Sequence, residues 1–172
     1  MVDYLDELEI GICLRINGLS RRGFVRRFFS VVSKLGDYPA WVAVGIVVAI
    51  MQGADAMPFV VQASVTAAAG IAAYKLLKKK LVRERPYIAN GSIVLGEAPL
   101  DRYSFPSGHT LHAVSLTVLY GSYEPMLLWL LVPYALLVAA SRIILGLHYP
   151  SDVIAGAALG ATLAAISLGV FG

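Results

Sequence analysis

Residues 125–172 read PMLLWLLVPYALLVAASRIILGLHYPSDVIAGAALGATLAAISLGVFG. Two apolar runs, 125–147 and 150–172, are joined by the polar turn HYPSD. A membrane-crossing helix needs about 20 mainly apolar residues, and each run reaches that length. Working outward, residues 38–53, 58–77 and 107–123 supply three further stretches, the last being the most polar. The expected fold class is all-α, a polytopic membrane helical bundle of about five transmembrane helices. Pro58, Pro125 and Pro150 stand at helix starts, where a missing N–H does no harm. Pro133 predicts a kink.

Composition agrees. Of 172 residues, 58% are hydrophobic and 15% charged, against about 25% charged in soluble domains. That excludes an ordinary soluble globule and a disordered chain. The length suits one domain, 1–172. The net charge of +3 gives no case for nucleic acid. Cys13 is alone, so neither an internal disulfide nor a thiolate metal cluster is expected.

Residues 1–37 are read as interfacial amphipathic helices rather than spans. Leu5, Leu8, Ile12 and Ile16 recur at helical spacing beside Asp3, Asp6 and Glu9. Phe24, Phe28, Val31 and Leu35 do so beside Arg21, Arg22, Arg26 and Arg27. Packing on the bundle is compatible with this reading. No cleavable signal is expected, because the first residues are acidic and lack a cleavage site. Gly156 and Gly160 form a G-x-x-x-G that suits tight packing within the bundle.

With these crossings, residues 1–37, 78–106 and 147–151 share one side. All 14 Lys and Arg fall on it or on adjacent helix ends. The opposite loops hold Asp55 and Glu124. The positive-inside rule puts the basic side in the cytoplasm. Cys13 is expected on the same side, as a handle for thiol labelling.

Ionisable residues near spans are functional candidates by default. Three clusters share the basic side. In KKKLVRERP (78–86), Lys78 and Arg85 are seven apart, one helix face after two turns. Pro86 biases Arg85 away from helix. Two converging cations suit an anion, and Arg offers a fork for phosphate. Taken alone, the run reads first as an anchor for acidic headgroups. In YSFPSGHT (103–110), Ser107 and Gly108 open a helix whose N–H groups suit phosphate. His109 lies in its first turn, where the helix end favours giving up a proton. An ordinary Ser107 cap with an interfacial histidine is an equal reading. His112, one turn deeper, is read as a support behind the site or as packing. In SRIILGLHYPSD (141–152), Arg142 ends an apolar helix. His148 and Asp152 flank the turn, where a carboxylate can orient an imidazole nucleophile. A capping Asp152 with an interfacial His148 is the plainer alternative.

Together the clusters supply anion binding, a nucleophile, an acid and an orienting carboxylate, which is the equipment for phosphoryl transfer. No carboxylate cluster suits Mg²⁺ or Zn²⁺.

These residues resemble the signatures of the type 2 phosphatidic acid phosphatase family, whose fold is shared with vanadium haloperoxidases and acid phosphatases. K-x6-R-P matches Lys78, Arg85 and Pro86. P-S-G-H matches Pro106, Ser107, Gly108 and His109. S-R-x5-H-x3-D matches Ser141, Arg142, His148 and Asp152. The resemblance implies a phosphohistidine mechanism: catalytic His148, His109 and Asp152, and phosphate-binding Lys78, Arg85, Ser107, Gly108 and Arg142. It implies neither metal nor cofactor. The substrate would be a phospholipid or polyprenyl phosphate (undecaprenyl diphosphate, phosphatidylglycerophosphate or phosphatidic acid class) hydrolysed in a cell (inner) membrane. A lateral opening between spans would admit its chain. A phosphoryl transferase with a non-water acceptor and a non-enzymatic lipid-binding scaffold are the alternatives. Membrane relatives commonly carry one more span than this chain has room for. Their active site usually faces away from the cytoplasm, opposite to the charge rule. The residues leave oligomeric state open.

Overall fold

The computed structural model describes residues 2–171, with side chains from residue 7 onward. The side chains of Asp3, Leu5 and Asp6, and Gly172, lie outside the described residues. The described chain is helical, without strands. Its helices are α1 (Val2–Asn17), α2 (Gly23–Leu35), α3 (Tyr38–Gln52), α4 (Met57–Leu81), the single turn α5 (Pro86–Ala89), α6 (Gly108–Tyr123), α7 (Leu128–Ile144) and α8 (Pro150–Phe171).

The expected stretches recur as α3, α4, α6, α7 and α8. Three segments are long and apolar enough to cross a membrane: Tyr38–Ala89, Pro125–Ile144 and Pro150–Phe171. The first is folded into the α3–α4 pair. At 16 residues, α6 falls short of that length and is enclosed by its neighbours, with Leu111, Ala113 and Leu119 fully buried.

The helices alternate in direction. Tyr38 at the start of α3 meets His112 near the start of α6. Phe59 at the start of α4 stacks on Tyr123 at the end of α6. One end of the bundle therefore gathers the starts of α3, α6 and α8 and the ends of α4 and α7. The core runs through Trp41, Phe59, Leu116, Tyr120, Leu131 and Val138. Outward faces carry Ile46 and Ile50 on α3, Leu136 on α7, and Ile154 and Val170 on α8. So much exposed apolar surface suits contact with lipid.

Close backbone approach locks α8 to α6. A Cβ on Gly156 would stand 2.5 Å from the Ser107 carbonyl oxygen, and one on Gly160 would collide with the Leu111 carbonyl oxygen. The G-x-x-x-G is an intramolecular contact. Gly146, at φ +73, makes the turn after α7, where a Cβ would meet Ile93 and Val94. Asn17 closes α1 onto this turn, donating to the carbonyls of Val94 (2.8 Å) and Ile144 (2.9 Å).

The second amphipathic helix packs on α7 through Val32 and Ser33. Its periodic residues face outward: Phe24 is 82% exposed, and Phe28, Val31 and Leu35 are exposed as well. That apolar stripe, flanked by arginines, suits a helix lying in the interface.

Candidate active site

The site lies at the end where the helices converge. Its pocket is lined from α4 by Tyr74 and Lys78, from α6 by Gly108, His109 and His112, and from α7 by Arg142. His148, Arg85, Asp101 and Asp37 complete it.

Each side chain is placed by a local device. Basic residues crowd the last turn of α4, where cations oppose the helix dipole. The helix ends at Leu81 and Val82 takes the left-handed conformation (φ 42, ψ 43). Arg85 is extended (φ −79, ψ 152) ahead of Pro86, as the proline dictates. Lys78 and Arg85 therefore do not share a helix face, which corrects the two-turn reading of their spacing. A carboxylate brings them together instead. Lys78 Nζ donates to Asp101 Oδ1 at 2.7 Å and Arg85 Nη2 donates to the same oxygen at 2.7 Å. Lys78 also donates to the Tyr103 carbonyl, and Arg85 Nε to that of Asp101. Burial alone would raise the Asp101 carboxyl, but Lys78 and Arg85 hold it below its ordinary value.

Ser107 precedes α6 and is fully buried behind the pocket. Its hydroxyl pairs with that of Thr110 (3.0 Å), and its N–H donates to the Asp152 carbonyl (3.0 Å). Gly108 packs on the Tyr74 ring and faces the pocket. The Phe105–Pro106 peptide leading in is cis. His109 Nε2 lies 2.8 Å from Asp37 Oδ1. His112 also lines the pocket, with Nε2 3.0 Å from the Tyr38 hydroxyl. The helical repeat puts it on the His109 face, so it belongs to the site as well as to the packing.

His148 is almost fully buried. Burial first, then Arg85, Arg142 and Lys78, push its pKa well below the ordinary histidine value. Nε2 is 3.3 Å from Arg85 Nη1. Nδ1 is 3.5 Å from Asp152 Oδ2 and makes no hydrogen bond. Asp152 is committed elsewhere. Oδ2 accepts from the Tyr149 N–H at 2.8 Å, and Oδ1 from Arg83 Nη1 at 2.9 Å. Arg83 also donates to Glu9 on α1 (2.6 Å) and stacks on Tyr149. Glu9 in turn accepts from the Ser151 N–H and hydroxyl. The first helix is thus pinned to the His–Asp turn.

Arg142 is buried at 3% exposure. It donates to the Ser33 hydroxyl, and its Nε has no partner. Among the described residues no carboxylate lies within ion-pair distance of it. A buried guanidinium without a counter-charge is costly, and an anion in this pocket would compensate it.

The structure brings Lys78, Arg85, Gly108, His109, Arg142 and His148 around one pocket, with Asp152 and Ser107 directly behind. Asp37, Asp101, Arg83 and Glu9 complete the network and were not anticipated. Arg83 stood inside the KKKLVRERP run, and Glu9 on the polar face of α1. The acids at 37 and 101 carry no diagnostic spacing.

Such a bundle, with cations and histidines gathered at one end, defines a phosphatase of the bilayer. The PAP2 superfamily model matches residues 59–172, and the chain belongs to that superfamily. Decaprenylphosphoryl-5-phosphoribose phosphatase of Mycobacterium tuberculosis is 34% identical over 163 residues, covering 84% of this chain and 89% of that protein. The crystal structure of Aquifex aeolicus LpxE superposes with a TM-score of 0.75 at 27% identity, covering 94% and 95% of the two chains. A transmembrane PAP2-type phosphatidylglycerolphosphate phosphatase from Bacillus subtilis shares the fold at a TM-score of 0.72 and 22% identity, covering 97% and 86%. The chain is a multi-pass membrane protein.

Proposed function

We propose that this protein is a metal-independent lipid phosphatase that hydrolyses a lipid phosphomonoester or pyrophosphate through a phosphohistidine. The observation that carries this is Arg142, buried without a carboxylate partner in the pocket that also holds His109 and His148. The Mycobacterium tuberculosis relative is named for a decaprenyl-linked phosphate, which supports a lipid substrate. An apolar slot between α3 and α4, lined by Trp41, Gly45, Ala63 and Ala67, shares Tyr38 with the polar pocket. It offers a path for an acyl or prenyl chain beside the phosphate.

His148 is the nucleophile. Its Nδ1 faces Asp152 and its Nε2 faces the cations, so Nε2 attacks phosphorus. Lys78, Arg85, Arg142 and the Gly108 N–H hold the phosphoryl oxygens, with Ser107 supporting the start of α6 from behind, and fixed positive charge opposes what develops in the transition state. His109 protonates the leaving oxygen as the P–O bond breaks. Asp152 stabilises the charged phosphohistidine. Water then attacks phosphorus, the P–N bond breaks, and His148 is restored.

The test is phosphate release from a panel of lipid mono- and diphosphates by purified protein in EDTA. Wild type is expected to act, and His148→Ala to lose activity by at least about a thousandfold. Full activity in His148→Ala, or dependence on an added divalent ion, would overturn the mechanism.

The protein resides in the cytoplasmic membrane with the active-site end facing outward, the usual orientation of the family. The arginine-rich surface at that end argues the reverse, and site-directed thiol labelling from outside the cell distinguishes the two.

A further inference from the structure

The turn between α2 and α3 brings to the pocket a residue that neither the phosphate cradle nor the His–Asp turn accounts for. Asp37 immediately precedes α3. An aspartate there ordinarily accepts a hydrogen bond from an N–H of the first turn. Asp37 makes no such bond. Its carboxylate reaches across to α6, 2.8 Å from His109 Nε2. Gly36 permits this approach, because a Cβ there would stand 3.0 Å from Val138 of α7. The hydrogen bond from His109 holds the Asp37 carboxyl below its ordinary value, so it is ionised at neutral pH.

The other groups around His109 are of opposite character. Arg142 faces it from α7, Lys78 from α4, His148 from the α7–α8 turn, and His112 from one turn along α6. A ring that must carry a proton among these groups needs a negative neighbour. Among the described residues, Asp37 is the acid in contact with it.

We propose that Asp37 is a positioning residue of the active site, its carboxylate holding the His109 ring at Nε2 and leaving Nδ1 to serve the leaving oxygen. The inference rests on the phosphatase reading, in which His109 is the general acid. Before reaction the imidazolium carries a proton on each nitrogen. As the P–O bond breaks, the leaving oxygen takes the bonding electron pair and the Nδ1 proton. The neutral ring keeps its second proton on Nε2, against Asp37. When water attacks the phosphohistidine, Nδ1 takes a proton from that water, the P–N bond electrons return to His148, and His109 is again an imidazolium. Holding one nitrogen keeps the other aimed through both halves of the cycle.

The test uses the full chain in detergent micelles and two substrates. Dodecyl phosphate has a leaving alkoxide that needs a proton; p-nitrophenyl phosphate has a phenolate that does not. Asp37→Asn is expected to lower kcat on dodecyl phosphate by about tenfold or more, and on p-nitrophenyl phosphate by less than about threefold. The basic limb of the dodecyl phosphate pH profile moves to lower pH. Equal losses on both substrates with an unmoved limb would make Asp37 merely structural. A second measurement is independent of turnover. The chain has only 3 histidines, so labelled-histidine NMR can follow each ring. In Asp37→Asn the His109 titration midpoint falls, while those of His112 and His148 hold. An unchanged His109 midpoint overturns the pairing whatever the activities. His148→Ala on the same substrates tests the phosphohistidine separately. Activity retained there would overturn the nucleophile, while the His109 midpoint would still decide the pairing with Asp37.

Discussion

Asp101 occupies both cations that a phosphoryl group would claim, at 2.7 Å from Lys78 Nζ and 2.7 Å from Arg85 Nη2. An arriving anion competes with it for the same donors. Asp101→Asn should therefore tighten inhibition by orthovanadate by about threefold to tenfold, since charge-assisted bonds are the stronger kind. Weaker inhibition would mean that Asp101 positions the cations rather than competing for them. His148 gives a pH expectation. Burial and three neighbouring cations disfavour its charged form. The free base persists until pH falls through that depressed value, so the acid limb of kcat/KM lies below the ordinary 6.5. An acid limb at or above 6.5 would contradict the structure. The same shift makes stability fall with pH below 6.5, because the unfolded chain takes the proton first. Lys78, Arg85, His109, Arg142 and His148 were legible because each sits in a short run with fixed spacing. Asp37 and Asp101 were not: a single acid in a polar turn signals nothing until folding sets it against its partner.

Between elements, the decisive contact is α8 against α6. Gly156 leaves no room for a methyl group beside the Ser107 carbonyl, and Ser107 precedes the turn that carries His109. Gly156→Ala should cost about 1–3 kcal/mol through overpacking and reduce activity together with the thermal midpoint. Thermal unfolding and turnover in detergent check it; an unchanged midpoint with full activity would show that the contact does not hold the site in place. Apolar runs foretold these helices to within a few residues, because burial against lipid or neighbours imposes length and composition directly. Spacing within a motif was a poorer guide. A left-handed Val82 ends α4 before Arg85, so counting turns through the motif misplaced the side chain although the two cations do converge.

At the scale of the molecule, the proposed outward orientation can be tested directly. Cys13 is unsuited to report it. It is fully buried, with Sγ 3.9 Å from the His148 carbonyl, and burial, then Glu9 and Asp152, push its thiol up to about 12. Thiolate is the reactive form. Arg22, exposed at the turn before α2, is the better site. With Cys13→Ser in place, Arg22→Cys should react with a membrane-impermeant maleimide in intact cells. Reaction only after lysis would put the active-site end in the cytoplasm. The outward apolar stripe of α2 has a kinetic consequence. With Phe24, Phe28, Val31 and Leu35 set among acyl chains, the pocket rides at the depth where phospholipid headgroups already reside. A chain-anchored substrate then arrives by sliding sideways within a film, never by being lifted into water. Turnover should track the mole fraction of substrate in that film, so adding inert lipid at constant total substrate slows it by surface dilution.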